Sequence, residues 1–456
     1  MKVAIFPIPA IGHVNPLLTV AEALCRHPEV TCVRSFGPGE LSGPFAETGV
    51  EHCSLPSVDT DVLPKDPRVS DLAHKSFVRP LGTMEQTMET VAEFQPDVVL
   101  HDVFSLQGLL AARYLDVPAA SFVSFAGYGA LGEDFAAAHT ADAPTLRHAN
   151  DYYRELLGVD LFEEGFLPVL FPSRDLSIVG ATESMSWPEF RDASVLPPTS
   201  GPCAFVGPCV GEVRLHTDAI ALISTPSPSR SAACCPTHDR DADFPFDELD
   251  KAVREGRRVL VFSLGTVLTD FRYHSPVGGA DTGRSFLRRM LRHLMAAFAD
   301  DPGTLVVVAT GSLLTDSDAP RWPGNFVVRR FIPQKRLLDR YADAFITHHG
   351  MNSMTESILA GVPMISLPGV GDQIANARMA VRSGAAVALW DLDNPYGTCD
   401  GKALRTAVHR AWSDPLHAAA CAALRAEMHT AGGAEHAAGL VAGLVGRSRA
   451  SSTPMR

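Results

Sequence analysis

Residues 331–373 read FIPQKRLLDRYADAFITHHGMNSMTESILAGVPMISLPGVGDQ, and this stretch decides the fold. Its apolar runs at 344–347 and 364–367 predict two short buried strands. Between the two runs the pattern is helical, and Gly361 followed by Pro363 marks the end of that helix. The stretch therefore predicts a strand, a helix and a second strand, which is the repeating unit of a parallel sheet.

Polar residues gather where the first of these strands passes into the helix. Ser353 stands three residues before Glu356, which is the spacing of a capping box that opens a helix. His348 lies just before that helix, whose N-terminus offers free N–H groups and the positive end of a dipole to an anion. A loop with Asp372 and Gln373 follows the second strand. This region is therefore predicted to bind a phosphate group.

The order of these motifs resembles the nucleotide-sugar signature of the family 1 glycosyltransferases, which include plant UDP-glycosyltransferases and bacterial macrolide glycosyltransferases. The resemblance implies contacts along the whole donor: Gln334 with the base, Glu356 with the ribose, His348 and Ser353 with the diphosphate, Asp372 and Gln373 with the sugar, and Gly350 and Asn352 beside them. Two residues depart from the plant signature, because Phe331 and Met351 stand where it usually has Trp. Both departures are typical of bacterial members.

Short apolar runs alternate with stretches of helical periodicity in both halves of the chain. The strands predicted from these runs cover residues 3–8, 97–101, 117–123, 259–262, 305–308 and 326–328. Such alternation indicates an α/β protein whose parallel sheets are covered by helices on both faces. The resemblance implies the GT-B fold, in which two Rossmann-like domains face each other across a cleft.

The domain boundary is predicted at residues 217–243, which are rich in Pro, Ser and charge and have the composition of a linker. This segment separates an acceptor-binding domain at 1–216 from a nucleotide-sugar-binding domain at 244–430. Residues 431–456 are predicted to form a C-terminal helix and tail. The resemblance implies that this last helix crosses back to the first domain.

The first domain contains a candidate catalytic pair. Asn15 and Pro16 predict a helix start, which leaves His13 in a loop after the first strand. Asp102 ends the strand PDVVLHD, and open α/β sheets bind ligands at the carboxyl ends of their strands. A histidine with an ordinary pKa of about 6.5 suits deprotonation of an alcohol, and a carboxylate fixes its tautomer. The resemblance assigns these same roles, whereas neighbouring His101 is predicted to be structural.

A second phosphate-binding element is predicted in the FSLGT turn that follows the first strand of the second domain. Gly265 permits a close approach of the backbone to a phosphate, and Ser263 and Thr266 offer hydroxyl donors. Thr310 and Gly311 end the next strand and are either nucleoside contacts or a simple turn.

Composition narrows the functional classes. The chain has 456 residues and a net charge of −13, which disfavours a nucleic-acid partner because phosphate backbones need a basic face. Its nine cysteines form no ligand pair, so we expect reduced thiols, with the adjacent Cys234 and Cys235 the one place for redox chemistry. No run of eighteen apolar residues or signal peptide is found, which favours a cytoplasmic protein without a membrane anchor.

Other chemistries fit the motifs less well. A nicotinamide dehydrogenase needs G-x-G-x-x-G after its first strand, where this chain has PIPAIGHVNP. His348 and His349 are adjacent rather than three or four apart, so no metal site is predicted. A nucleotide-sugar epimerase and a catalytically silent homologue that activates a partner glycosyltransferase remain as alternatives.

The sequence thus predicts an inverting, metal-independent glycosyltransferase of secondary metabolism, such as antibiotic biosynthesis. We expect it to move a sugar from a UDP- or dTDP-sugar co-substrate to a hydroxyl of a small lipophilic acceptor, with no further cofactor and as a monomer or weak homodimer. Candidates for the acceptor pocket are four aromatic residues: Phe77, Phe125, Tyr128 and Trp187.

Overall fold

The computed structural model describes residues 1–56, 63, 66–130, 143–186, 195–212, 244–274, 282–315, 320–369, 371–392 and 399–451. The chain divides into two compact units, of which one comprises Met1–Ile223 with Met428–Arg456 and the other Ser224–Glu427. The linker predicted at 217–243 lies outside the described residues, as do Trp187, Cys234 and Cys235.

Thirteen strands are found in the described residues: β1 Lys2–Phe6, β2 Cys32–Gly37, β3 Glu51–Ser54, β4 Val98–Asp102, β5 Ala119–Val123, β6 Leu176–Val179, β7 Cys203–Phe205, β8 Arg258–Ser263, β9 Thr304–Ala309, β10 Phe326–Arg329, β11 Ala344–Thr347, β12 Met364–Ser366 and β13 Ala386–Ala388. The α-helices of the same residues are α1 Ile11–Arg26, α2 Ser42–Glu47, α3 Asp71–Ala73, α4 Met84–Phe94, α5 Leu106–Tyr114, α6 Pro144–Leu157, α7 Phe246–Arg254, α8 Gly283–Phe298, α9 Gln334–Arg340, α10 Met351–Ala360, α11 Asp372–Arg382, α12 Gly401–Ser413, α13 Pro415–Thr430 and α14 Gly433–Ser451.

Each unit is built on one parallel sheet. The first sheet has the strand order β3-β2-β1-β4-β5-β6-β7, and the second has the order β10-β9-β8-β11-β12-β13. The central strands are buried on both faces, as expected where helices cover a parallel sheet on either side. The predicted α/β class with two parallel sheets is confirmed.

The strand order reverses once in each sheet, between β1 and β4 and between β8 and β11. In the first sheet Phe6 is the register partner of His101, and in the second Ser263 is the partner of Thr347. The chain therefore leaves each of these strand pairs side by side. Open α/β sheets bind ligands at such reversals.

The last helix belongs to the first unit. Four of its residues enter the core beneath α1, where they join Leu17 and Leu18: Ala437, Ala438, Val441 and Leu444. None of the helices in the described residues is both long and apolar enough to cross a membrane. The described cysteines are free thiols: Cys25, Cys32, Cys53, Cys203, Cys209, Cys399 and Cys421.

The predicted start of the first helix was wrong. Helix α1 begins at Ile11, because the extended residue Ala10 accepts hydrogen bonds from the backbone N–H groups of His13 and Val14. Pro16 therefore lies inside the helix rather than at its first position. As a consequence His13 is held in the first helical turn and not in a loop.

Two boundaries in the signature stretch also differ from the prediction. Helix α10 has Gly350 at its N-cap and begins at Met351, so Ser353 lies within the first turn and caps nothing. Asp372 and Gln373 are the first residues of α11 rather than part of a loop. The expected end of α10 is confirmed, since Gly361 adopts the left-handed conformation with φ of 76°.

Candidate active site

The His13 and Asp102 side chains meet at the reversal point of the first sheet. His13 Nδ1 lies 2.9 Å from Asp102 Oδ2, and the Asp102 side chain is fully buried. The other carboxylate oxygen, Oδ1, accepts a hydrogen bond of 2.8 Å from the Phe104 N–H. Asp102 is therefore fixed in orientation, while the His13 side chain stays 18% exposed.

A third polar group at this point was missed by sequence reasoning. Ser124 Oγ lies 2.9 Å from the same His13 Nδ1. Ser124 follows β5, which pairs with β4, so its position is equivalent to that of the residues just after Asp102. The available signal was a polar residue directly behind a buried strand, which is too common to single out without knowing which strands are neighbours.

Aromatic rings line the first unit beside His13. The centroid of the Phe104 ring lies 4.9 Å from that of the His13 ring, and the centroid of the Phe125 ring lies 6.0 Å from that of Phe104. The Tyr128 ring is next, with its centroid 6.2 Å from that of Phe125. Phe77 is fully buried and stacks on other core rings. Of the described acceptor candidates, Phe125 and Tyr128 thus continue from the His13 site, and Phe77 belongs to the core.

His101 takes no part in this pair. It is fully buried, and its Nδ1 donates a hydrogen bond of 2.9 Å to the Asp102 backbone carbonyl. Burial lowers the pKa of His101 to about 4, so the ring is neutral at ordinary pH. This placement agrees with the structural role predicted for it.

In the second unit, His348 lies directly after β11 and is enclosed by two glycines. A Cβ on Gly265, which follows β8 with φ of +65°, would overlap Cε1 and Nε2 of the His348 ring. A Cβ on Gly350 would stand 2.5 Å from the same Nε2. Both positions therefore need glycine because the imidazole occupies the space of their side chains.

The His348 ring is neutral. Burial lowers its pKa to about 4, and a hydrogen bond to the Ser263 backbone carbonyl partly opposes that shift. Its Nδ1 is buried and has no hydrogen-bond partner in the part of the chain that the structure describes. A buried polar atom of this kind is normally satisfied by a ligand or a water molecule.

His349 is a structural residue of the same turn. Its φ is +59°, and its Nε2 lies 2.7 Å from Ser366 Oγ on β12. Burial, together with the neighbouring His348, lowers the pKa of His349 to about 3. Asn376 on α11 donates a hydrogen bond of 3.0 Å to the His349 backbone carbonyl. This bond connects α11 to the turn.

Three predicted donor residues converge from α9 and α10. Gln334 Nε2 donates hydrogen bonds to Ser353 Oγ, at 3.1 Å, and to Glu356 Oε2, at 2.9 Å. Ser353 and Glu356 are buried, although both are polar. Asn352, at the second position of α10, is half-buried. The structure thus brings these residues together close to the N-terminus of α10.

Asp372 and Gln373 are held at the start of α11. Asp372 Oδ2 accepts a hydrogen bond of 3.0 Å from Asn376 Nδ2. Gln373 Oε1 accepts one of 3.0 Å from the Gly369 N–H. Asn376 was also missed by sequence reasoning, although its position four residues after Asp372 places it on the same helical face. It links Asp372 to the His349 turn.

The remaining predicted residues lie at strand ends of the second sheet. Thr266 follows Gly265 in the turn after β8 and is half-buried. The Thr310 hydroxyl donates a hydrogen bond of 3.2 Å to the Arg329 carbonyl. Gly311 has a positive φ of 53°, so both residues form part of a turn. No group of three or more metal-ligating side chains is found within the described ranges.

The chain is similar in sequence to known glycosyltransferases. Residues 256–415 match the family model described as UDP-glucoronosyl and UDP-glucosyl transferase. An NDP-glycosyltransferase of Bacillus subtilis (strain 168) is 25% identical over 447 residues, which cover 96% of this chain and 95% of the relative. Oleandomycin glycosyltransferase of Streptomyces antibioticus is 26% identical over 448 residues, covering 96% and 90% respectively.

A solved structure shares the fold over nearly the whole length. The glycosyltransferase of kitacinnamycin has a TM-score of 0.69 and 23% identity, with coverage of 97% of this chain and 98% of that one. The recognition made from the signature stretch is thereby confirmed: the chain is a glycosyltransferase of the GT-B type.

Proposed function

We propose that this enzyme transfers a sugar from a nucleoside diphosphate sugar to a hydroxyl of a small lipophilic natural product, with inversion at the anomeric carbon. The observation that carries the proposal is the 2.9 Å contact between His13 Nδ1 and the buried Asp102 carboxylate. A buried carboxylate at this distance keeps the hydrogen on Nδ1, so Nε2 is the ring nitrogen that carries the lone pair.

His13 is the general base in this proposal. Its Nε2 takes the proton of the acceptor hydroxyl as the oxygen forms a bond to the anomeric carbon. The bond from that carbon to the diphosphate oxygen breaks in the same step, and the electron pair leaves with the diphosphate. Attack from the face opposite to the leaving group inverts the configuration. Asp102 stabilises the imidazolium that results.

The leaving diphosphate is bound in the second unit. The first turn of α10 presents backbone N–H groups that have no partner inside the helix, which suits an anion. Thr266 adds a hydroxyl from the turn after β8. Donors aimed at charge that develops in the transition state commonly contribute several kcal/mol of stabilisation.

His348 completes the diphosphate site. Its buried Nδ1 needs a hydrogen in order to donate to a phosphate oxygen. That hydrogen comes either by a change of tautomer away from the Ser263 carbonyl or by uptake of a second proton, which the charge of the diphosphate favours.

The other donor contacts follow from the chemistry of the side chains. Glu356 presents a carboxylate, which suits the two ribose hydroxyls, and Gln334 lies against it and faces the base. Asp372 and Gln373 begin α11 and are assigned to the sugar hydroxyls. The donor is a co-substrate, and the reaction as proposed needs no metal ion.

The substrate class rests on the relatives. One of them is named for oleandomycin and a solved neighbour for kitacinnamycin, which supports a natural product as acceptor. The family description names UDP-sugars, while the name of the bacterial relative leaves the nucleoside open. We propose that the acceptor binds to the first unit beside Phe104 and Phe125.

Calorimetric titration with UDP and dTDP, followed by their glucose conjugates, tests donor binding and selects the nucleotide. An acceptor screen by mass spectrometry with the preferred donor then tests transfer, and NMR of the product gives its anomeric configuration. An α-linked donor should yield a β-linked product. An α-linked product would refute the single displacement, and donor binding without product from any acceptor would favour a silent homologue.

A further inference from the structure

We propose that Ser124 is a positioning residue that shares the Nδ1 hydrogen of His13 with Asp102 and so sets the basicity of the catalytic base. The inference rests on the proposed role of His13. It concerns a third group at the site, in addition to the pair that the sequence predicts.

Two oxygen atoms stand at the same distance from one ring nitrogen. His13 Nδ1 lies 2.9 Å from Asp102 Oδ2 and 2.9 Å from Ser124 Oγ. Ser124 is 6% exposed and Asp102 is fully buried, so water has little access to either group. The Phe104 ring lies against the imidazole at 4.9 Å and limits rotation of the His13 side chain.

The direction of the Ser124 hydrogen bond follows from Asp102. If the serine hydroxyl donated to Nδ1, that nitrogen would direct its lone pair at the carboxylate oxygen 2.9 Å away, and the two would repel each other. Oδ1 already accepts from the Phe104 N–H, so Oδ2 is the oxygen that needs a donor from His13. Nδ1 therefore carries the hydrogen, and both oxygens accept it.

A shared hydrogen of this kind stabilises the imidazolium more than the neutral ring, because hydrogen bonds from charged donors are the stronger ones. Asp102 is an ionisable group in contact with His13, and neighbouring His101 is neutral. Removal of the serine hydroxyl should therefore lower the pKa of His13. The fraction of His13 that is deprotonated at acidic pH rises, while each deprotonated ring is a weaker base.

NMR of protein labelled with [¹³Cε1]histidine measures this pKa without any substrate. The His13 resonance is assigned by its absence in His13→Gln. We expect Ser124→Ala to lower the pKa of His13 by about half a unit, and Ser124→Thr, which keeps a hydroxyl, to restore it. Equal His13 pKa values in the wild type and Ser124→Ala would overturn the proposal.

Ser121→Ala is the matched control. Ser121 lies on β5 as a fully buried residue, and its hydroxyl bonds to Ser177 Oγ at 2.9 Å. Loss of this hydroxyl should lower thermal stability without moving the pKa of His13. If Ser121→Ala shifts that pKa as much as Ser124→Ala does, the effect is general loosening of the sheet, and the proposal fails.

Kinetics separate this proposal from the proposed function. Transfer is followed with UDP-glucose or dTDP-glucose and 4-methylumbelliferone as acceptor, and the acid limb of kcat/KM should move to lower pH in Ser124→Ala. Undiminished transfer in His13→Ala would refute His13 as the base. A shift of the His13 pKa in Ser124→Ala would still show that Ser124 acts on the ring.

Discussion

At the scale of single residues, burial decides what each histidine does. His13 is partly exposed and paired with a buried carboxylate, which suits a base that meets a substrate. His101, His348 and His349 are buried, and burial lowers the pKa of each one well below its ordinary value. Each of the three has one buried ring nitrogen without a hydrogen-bond partner among the described residues, and His348 is the one that two glycines enclose.

A pair of substitutions separates the diphosphate contacts from the sugar contacts. His348→Ala removes the proposed phosphate donor and should weaken the binding of UDP itself, and with it transfer from every sugar. Gln373→Ala should leave UDP affinity nearly unchanged and relax the discrimination among sugars. A lost buried hydrogen bond costs about 1–3 kcal/mol, or roughly ten- to a hundredfold in affinity.

Calorimetry with UDP and with the intact donor checks this for both variants. The sugar assignment of Gln373 would be wrong if Gln373→Ala weakened UDP as much as His348→Ala does.

At the scale of elements, the ends of strands predicted correctly which residues lie together, whereas the N-cap signals predicted the starts of two helices wrongly. Buried runs of β-branched residues predict strands well, and residues just after them meet at the carboxyl edge of a parallel sheet. The spacing of Ser353 and Glu356 mimics a capping box, yet both side chains are held by Gln334 from the neighbouring helix. Local spacing contains no information about such a partner.

The contacts that the sequence did not predict depend on which strands are neighbours. Ser124 reaches His13 because β5 pairs with β4, and that pairing is a property of the folded sheet. Asn376 likewise reaches the His349 carbonyl across two elements. A lone Ser or Asn behind an apolar run is too frequent to be chosen without this knowledge.

A glycine substitution tests the packing of the proposed diphosphate site. Gly265→Ala adds a Cβ at φ of +65° that would overlap the His348 ring, so UDP affinity should fall about tenfold or more as the ring is displaced. Gly256→Ala has a similar φ of +72° with nothing within 4 Å, and it serves as the control.

Both variants should lose stability because of the left-handed backbone. Calorimetric UDP affinity should fall in Gly265→Ala alone. Native affinity in that variant would show that the His348 ring does not need its present position.

At the scale of the whole molecule, each unit has candidate functional residues at the reversal of its strand order. His13 and Asp102 follow β1 and end β4, and Gly265 and His348 follow β8 and β11. The three buried histidines whose pKa is lowered by burial are divided between the units, with His101 in the first and His348 and His349 in the second. Each unit therefore contains at least one ring that is held neutral.

These rings predict a loss of stability in mild acid. The folded-state pKa of each is lowered, so between pH about 6.5 and about 4 the unfolded chain binds a proton that the folded chain does not. Stability is complete above this window and falls as the pH is lowered through it, by about 2 kcal/mol per histidine between pH 7 and pH 5.

Denaturant unfolding at a series of pH values measures the slope, and His101→Gln should reduce it relative to a change at exposed His436. An unchanged slope in His101→Gln would show that His101 is protonated in the folded protein.

The central claim, that His13 in the first unit is the base while the donor binds to the second unit, is tested most directly by His13→Ala. We predict that kcat falls by at least about a hundredfold while calorimetric affinity for UDP stays the same, and that Asp102→Asn is milder because it orients the base. Near-native turnover in His13→Ala would contradict the account.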